Sequence, residues 1–217
     1  MPHGREVIEV MPKGFDTTAD CGPLAPQIKA AGYDFVARYY AHRGTKRLSA
    51  AEARQLSAAG LHIVVVWEDA PTEVGYFSRA RGVDDGTHAY DSAVALGQPA
   101  GSAIYFAVDY DALPAAIAGV VADYFRGVRD GFAHRSSGQD PAYRIGVYGS
   151  GAACKFLREQ GLAELSWLAQ STGWAGYHTY ADWNIKQGAT TQALGIEIDP
   201  DTAKDDYGGF ALGDGSA

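Results

Sequence analysis

Ala103-Ile104-Tyr105-Phe106-Ala107-Val108-Asp109-Tyr110-Asp111 is an apolar run of strand length that ends abruptly in two carboxylates. Alternate side chains of an extended chain share a face, so Asp109 and Asp111 are expected to point the same way. At the end of a buried strand, desolvation and mutual repulsion raise a carboxyl pKa. Such an end suits acid–base chemistry, a cation site or an ordinary strand cap. The flanking sequence has to choose among them.

Working outward, similar units recur. Towards the N-terminus lie strand candidates at Lys13–Asp16, Phe35–Tyr40 and His62–Glu68, the last a continuous apolar run suited to a parallel strand covered on both faces. Towards the C-terminus lie Arg144–Gly149, Leu165–Gln170, Trp183–Gln187 and Gly195–Asp199. Helical segments separate most of them. Residues 26–31 stop at Gly32, and Ser49-x-x-Glu52 reads as a capping box opening a helix that stops at Gly60. A helix is expected over 84–96. Another starts at Pro114, where Ile117, Val121, Tyr124, Val128 and Phe132 recur at helical spacing as core packing.

Eight short strands alternating with helices over about 200 residues predict an α/β fold, a (β/α)8 TIM-like barrel with degenerate helices in the last third. A doubly wound open sheet is the alternative, but no GxGxxG follows the first strand. The expected organisation is a lead-in over 1–12, one barrel domain over 13–200 and a loosely held tail over 201–217, docked through Phe210 and Leu212. Arg135 to Asp140 reads as a polar loop.

The 47% apolar and 20% charged content of the 217 residues is enough for a full core. A net charge of −8 argues against a nucleic-acid surface. No apolar run approaches the ~20 residues of a membrane span, and the N-terminus has no secretory h-region. A soluble chain is expected, with secretion or wall association by another route left open. Cys21 and Cys154 fit no zinc spacing and are expected as free thiols. The six histidines show neither HxH nor HExxH, so no metal is expected. The absence of a GxSxG elbow and of a Walker loop argues against serine hydrolysis and nucleotide chemistry, and no cofactor is expected.

Barrel active sites lie at the C-terminal ends of the strands. Those ends carry Asp16, Arg38 with Tyr40, Glu68, Asp109 with Asp111, Tyr148, Gln170, Gln187 and Asp199. Singly, Asp16 and Asp199 suit turn caps, and Glu68 suits an ion pair with Arg38. Five acids on one rim call for a ligand or for chemistry, because buried carboxylates are costly unless compensated. Glycoside hydrolysis is the reaction class built on a carboxyl pair. Asp109, Asp111, Glu68 and Asp16 are the candidate catalytic acids. Asp199, Arg38, Tyr148, Trp167, Gln170 and Gln187 are the candidate sugar-binding side chains, with Trp67, Tyr76, Tyr110 and Trp174 as further rim aromatics.

Gly14-Phe15-Asp16-Thr17, Gly97-Gln98-Pro99, the Tyr105–Asp111 block, Gly146-Val147-Tyr148-Gly149, Trp167-Leu168-Ala169-Gln170, Gln187 and Asp199 together resemble a bacterial glycoside-hydrolase-like domain family. The resemblance covers roughly residues 13 to 200. It is more distantly similar to glycoside hydrolase family 25, the lysozymes that cut peptidoglycan. Those barrels begin with Gly-x-Asp and end their fourth strand in Asp-x-Glu. Asp16 and Asp109 match the two aspartates, and Asp111 stands where the lysozymes carry their catalytic glutamate. The resemblance implies a glycosidase acting on a peptidoglycan-like polysaccharide, with Asp111 or Glu68 as general acid and Asp109 as partner carboxylate. The shorter Asp111 also fits a barrel that binds glycan without cutting it.

Overall fold

A computed structural model describes residues 11–137 and 142–213. Most of the expected lead-in, part of the polar loop and the last four residues of the tail lie outside them. Strands β1 (Lys13–Asp16), β2 (Phe35–Tyr40), β3 (His62–Trp67), β4 (Ala103–Ala107), β5 (Arg144–Gly149), β6 (Leu165–Leu168) and β7 (Ile185–Gln187) run parallel in chain order. The short strand β8 (Thr191–Ala193) forms a hairpin with β9 (Ile196–Ala203). β9 then slots between β7 and β1 and closes an eight-stranded ring. The barrel is thus as expected, except that its last strand is antiparallel. That reversal places Asp199 opposite Asp16 and Asp201 opposite Gly14.

The strand pleat sorts the core into two compartments. Phe35, Ala37, Tyr39, Val64, Val66, Tyr105, Ala107 and Trp167 fill the barrel. Val36, Tyr40, Ile63, Val65, Trp67, Ile104 and Phe106 face the helices. Strands buried on both faces lack alternation, which is why their sequences read as unbroken apolar runs.

The helical layer comprises α1 (Ala25–Ala30), α2 (Ala50–Ala58), α3 (Arg79–Leu96), α4 (Pro114–Ala116), α5 (Ala122–Arg135) and α6 (Gly151–Glu159). α3 starts earlier than expected, where the Ser78 side chain accepts a hydrogen bond from Arg81 N. A π-helical segment, Ile117–Val121, joins α4 to α5. Among the described residues no helix follows β6 or β7, as the weak helical pattern there predicted.

Helices α3 and α5 touch backbone to backbone. A Cβ on Gly127 would overlap the Arg79 carbonyl, and one on Gly86 would lie 2.7 Å from the Val128 carbonyl oxygen. Helix interiors ordinarily disfavour glycine, so its presence here is explained by close approach. Gly127→Val is expected to lower stability by about 1–3 kcal/mol through overpacking. A urea titration would show a lower midpoint with an unchanged slope, and an unaltered midpoint would contradict the close contact.

The chain beyond Pro200 is not a loose tail over its described part. β9 runs on to Ala203, Tyr207 is buried, and Phe210 exchanges backbone hydrogen bonds with Ile63. The Tyr105 hydroxyl donates to the Tyr207 carbonyl at 2.9 Å. This segment crosses the N-terminal ends of the strands and shuts that end of the barrel. The open mouth is at the other end.

Candidate active site

A cavity of about 250 Å³ opens at the C-terminal mouth, lined by Asp16, Tyr39, Val66, Glu68, Asp109, Tyr148, Trp167, Gln170, Gln187 and Asp199. Eight of the ten site residues expected from sequence therefore share one cavity. Arg38 and Asp111 do not.

Arg38 sits on the helix-facing side of β2, because Phe35, Ala37 and Tyr39 take the inward positions. It pairs with Glu52 rather than Glu68, Nε to Oε1 at 2.6 Å, with both side chains only 1% exposed. Glu52 consequently does not complete the capping box. Its amide donates to Ser49 Oγ, but its carboxylate accepts from Arg38 and from Cys21 N. Asp111 departs for a different reason. β4 ends at Ala107, so the alternation that would aim Asp111 inward has already lapsed. Asp111 is exposed, and its Oδ1 accepts from Ala175 N at 2.9 Å. Among the expected rim aromatics, Trp67 faces the helices, and only Tyr148 and Trp167 line the cavity.

Gln187 organises the floor. Its Nε2 donates to Asp16 Oδ2 at 2.7 Å and to Asp199 Oδ2 at 3.3 Å, while its Oε1 accepts from the Tyr148 hydroxyl and Gln170 N. The Tyr39 hydroxyl holds the other oxygen of Asp16 at 2.8 Å. The amide therefore stands between two carboxylates where a cation would otherwise bridge them. On the opposite wall Lys46 Nζ donates to Glu68 Oε1 at 2.7 Å and lies over the Tyr39 ring. Asp201 lies deeper, 3% exposed, and accepts from Trp167 Nε1 at 2.9 Å. One oxygen each of Asp199 and Asp201 is buried with no hydrogen-bond partner.

Tyr39, Lys46 and Asp201 belong to the site but were not anticipated. Asp201 was legible, because a residue two places after Asp199 on one strand shares its face. Lys46 comes from a loop and carried no sequence signal.

Burial pushes the Asp16 carboxyl up to about 7, against the pull of its bonds to Gln187 and Tyr39 and with help from the charges of Asp199 and Glu68. Burial also raises Asp201, reinforced by Asp16, and raises Asp109, reinforced by Glu68 and opposed by Lys46. Each of these three carboxyls thus holds its proton more tightly than a free carboxyl does. An acid that holds its proton more tightly when folded adds stability that is complete below the unfolded pKa of 3.8 and is lost as pH rises through about 7. Asp16→Asn removes that dependence, since its amide can donate to the Tyr39 oxygen and its carbonyl can accept from Gln187. The variant is expected to gain on the natural protein between those two pH values, by up to about 4 kcal/mol at about 1.4 kcal/mol per unit. Urea unfolding of both proteins across that range would show it, and a pH-independent difference would sink it.

The closed barrel thus carries an acid-rich mouth with amides and aromatics between the carboxylates. A family described as "Rv2525c-like, glycoside hydrolase-like domain" matches residues 26–209, and the chain belongs to it. YbfG of Bacillus subtilis (strain 168), an uncharacterised protein, is 30% identical over 201 residues, 83% of this chain but 27% of YbfG. The chain therefore spans about a quarter of that relative. The Tat-secreted protein Rv2525c of Mycobacterium tuberculosis, solved with L-tartrate, superposes with a TM-score of 0.77 at 22% identity, covering 93% of this chain and all of that one. The modular autolysin LytC of Streptococcus pneumoniae, solved with a synthetic peptidoglycan ligand, matches at a TM-score of 0.60 and 12% identity, covering 89% of this chain and 46% of that one. At these identities the two structures speak for the shared fold.

Proposed function

We propose that this domain hydrolyses a peptidoglycan-like glycan of N-acetylated sugars, with Asp109 as proton donor and Glu68 as the second carboxylate. The observation that supports it most is the pairing of a half-buried acid, whose hold on its proton is strengthened by burial and by Glu68, with a neighbouring carboxylate held by Lys46, in one open cavity. Asp109 would protonate the departing glycosidic oxygen, and Glu68 would face the positive charge that develops on the sugar ring. Asp16 and Asp199, clasped by Gln187, would receive sugar hydroxyls, and Tyr148 and Gln170 would flank the ring. A cavity of about 250 Å³ is smaller than the roughly 300–1,000 Å³ that encloses a drug-sized ligand, so it suits one ring or a chain end.

A second reading, glycan binding without cleavage, is favoured by one fact. The acid at the position of the lysozyme glutamate, Asp111, is short and turned to Ala175 outside the cavity. Incubating the folded protein with purified peptidoglycan at about pH 4 to 8 and assaying new reducing ends separates the two. Release supports hydrolysis. Retention on the glycan without release supports binding alone, and a folded protein that shows neither release nor retention refutes both.

A further inference from the structure

A second group of ligating side chains forms outside the acidic mouth, where the loop after β2 meets the first half of α3. His42 follows β2, while Asp84 and His88 stand four residues apart on α3 and so share a helix face. One ligating atom from each of the three lies within 4.8 Å of the other two, the only such group among the described residues. His42 Nε2 is 3.2 Å from Asp84 Oδ2. That is close to the edge, about 3.3 Å, of a tetrahedron with metal–ligand bonds of ~2.0–2.1 Å.

The surroundings add independent support. His88 Nδ1 lies 2.9 Å from the Asp84 carbonyl oxygen. The same Nδ1 lies 3.4 Å from Asp84 Oδ1, and in the tautomer that donates from Nδ1 to the carbonyl the Nε2 lone pair is the one left to ligate, the arrangement that orients metal-bound histidines. Asp85, fully buried behind His42, already accepts from the Tyr76 and Tyr124 hydroxyls and pairs with Arg81. When His42 turns its nitrogen to a metal, Asp85 keeps both hydroxyl bonds on Oδ2 and the Arg81 ion pair on Oδ1. The three side chains line a surface cavity of about 410 Å³, with space for water in a remaining coordination position.

We propose that His42, Asp84 and His88 bind one transition-metal ion of the zinc class, at a site separate from the acidic mouth. Arg43 and Arg47 line the same cavity, so an ion held by charge alone is disfavoured, and the nitrogen donors select zinc, cobalt or nickel over calcium or magnesium. Binding engages the His42 Nε2 that otherwise faces Asp84 and Asp85. It also ties α3 to the loop from which Lys46 reaches Glu68.

The test is calorimetric titration of zinc chloride into the untagged full chain at about pH 7.5, repeated with cobalt followed by its visible absorption. One ion per chain and a zinc-dependent rise in melting temperature are expected. His88→Ala and Asp84→Asn should each weaken binding at least about tenfold. His42, Asp84 and His88 are 23%, 49% and 52% exposed, so the variants should keep their fold, which metal-free melting curves would verify. Cys21 and Cys154 are buried, so a thiolate-type cobalt spectrum would place the metal elsewhere and overturn the proposal. Equal affinity in natural protein and variants, or no heat beyond dilution, would also overturn it and leave the trio as an ion pair.

Discussion

Asp109→Asn is expected to slow release of reducing ends from peptidoglycan by about 10²–10⁴-fold, the usual worth of a general acid. The loss should fall on kcat and leave KM little changed, because the amide keeps the shape of the carboxyl and loses only its proton. Stability should be unchanged or slightly higher. Among the described residues the Asp109 carboxylate receives no hydrogen bond, and burial beside Glu68 disfavours its charge. Aryl glycosides with acidic leaving groups need little protonation, so the same variant should cleave them with a much smaller defect. Asp111→Asn is the internal comparison. Its side chain is exposed and bonded to Ala175 N, so activity should stay within about twofold. If Asp111→Asn abolished cleavage and Asp109→Asn did not, the assignment would have to be reversed.

Arg38→Ala is expected to destabilise the fold by about 3–5 kcal/mol, the range for breaking a buried ion pair from one side. The guanidinium meets Glu52 through two nitrogens, at 2.6 and 3.2 Å, and a third nitrogen donates to the Thr17 carbonyl. Removing it strands the Glu52 charge in a buried site. Replacing both members, as Arg38→Met with Glu52→Leu, should recover much of the loss, since a well-packed apolar pair often matches a buried salt bridge. Chemical denaturation of the single and double variants measures the coupling, and a single-variant loss below about 1 kcal/mol would refute the argument. Thr17 follows Asp16, so the pair also steadies the strand end that carries a cavity acid. Its contribution to activity is thus made through the backbone, with no contact to a sugar.

Much of this barrel was legible in the chain. Continuous apolar runs closing in acids identified parallel strands buried on both faces, and the count of eight matched the ring. The direction of the last strand was not legible, because the short β8 and the hairpin that turns the chain back into β9 were not read as a strand pair. The two displaced residues trace to similar causes. In β2 both faces are buried, so nothing in its residues told the inward side from the outward one, and Arg38 was placed with the wrong set. At Asp111 the alternation rule was carried past the end of β4, where it no longer holds. Lys46, and the trio of His42, Asp84 and His88, join distant segments through tertiary packing, which spacing motifs do not capture.

The antiparallel β9 has a consequence in time. During synthesis the N-terminal seven strands emerge first, and β1 and β7 remain open edges until residues 196–203 follow them. Such edges are prone to wrong pairing, so the nascent chain is most vulnerable just before β9 arrives. The strand that seals the ring also delivers Asp199 and Asp201. No shorter translation product carries the finished acid cluster, and the site is assembled in the same event that completes the wall around it.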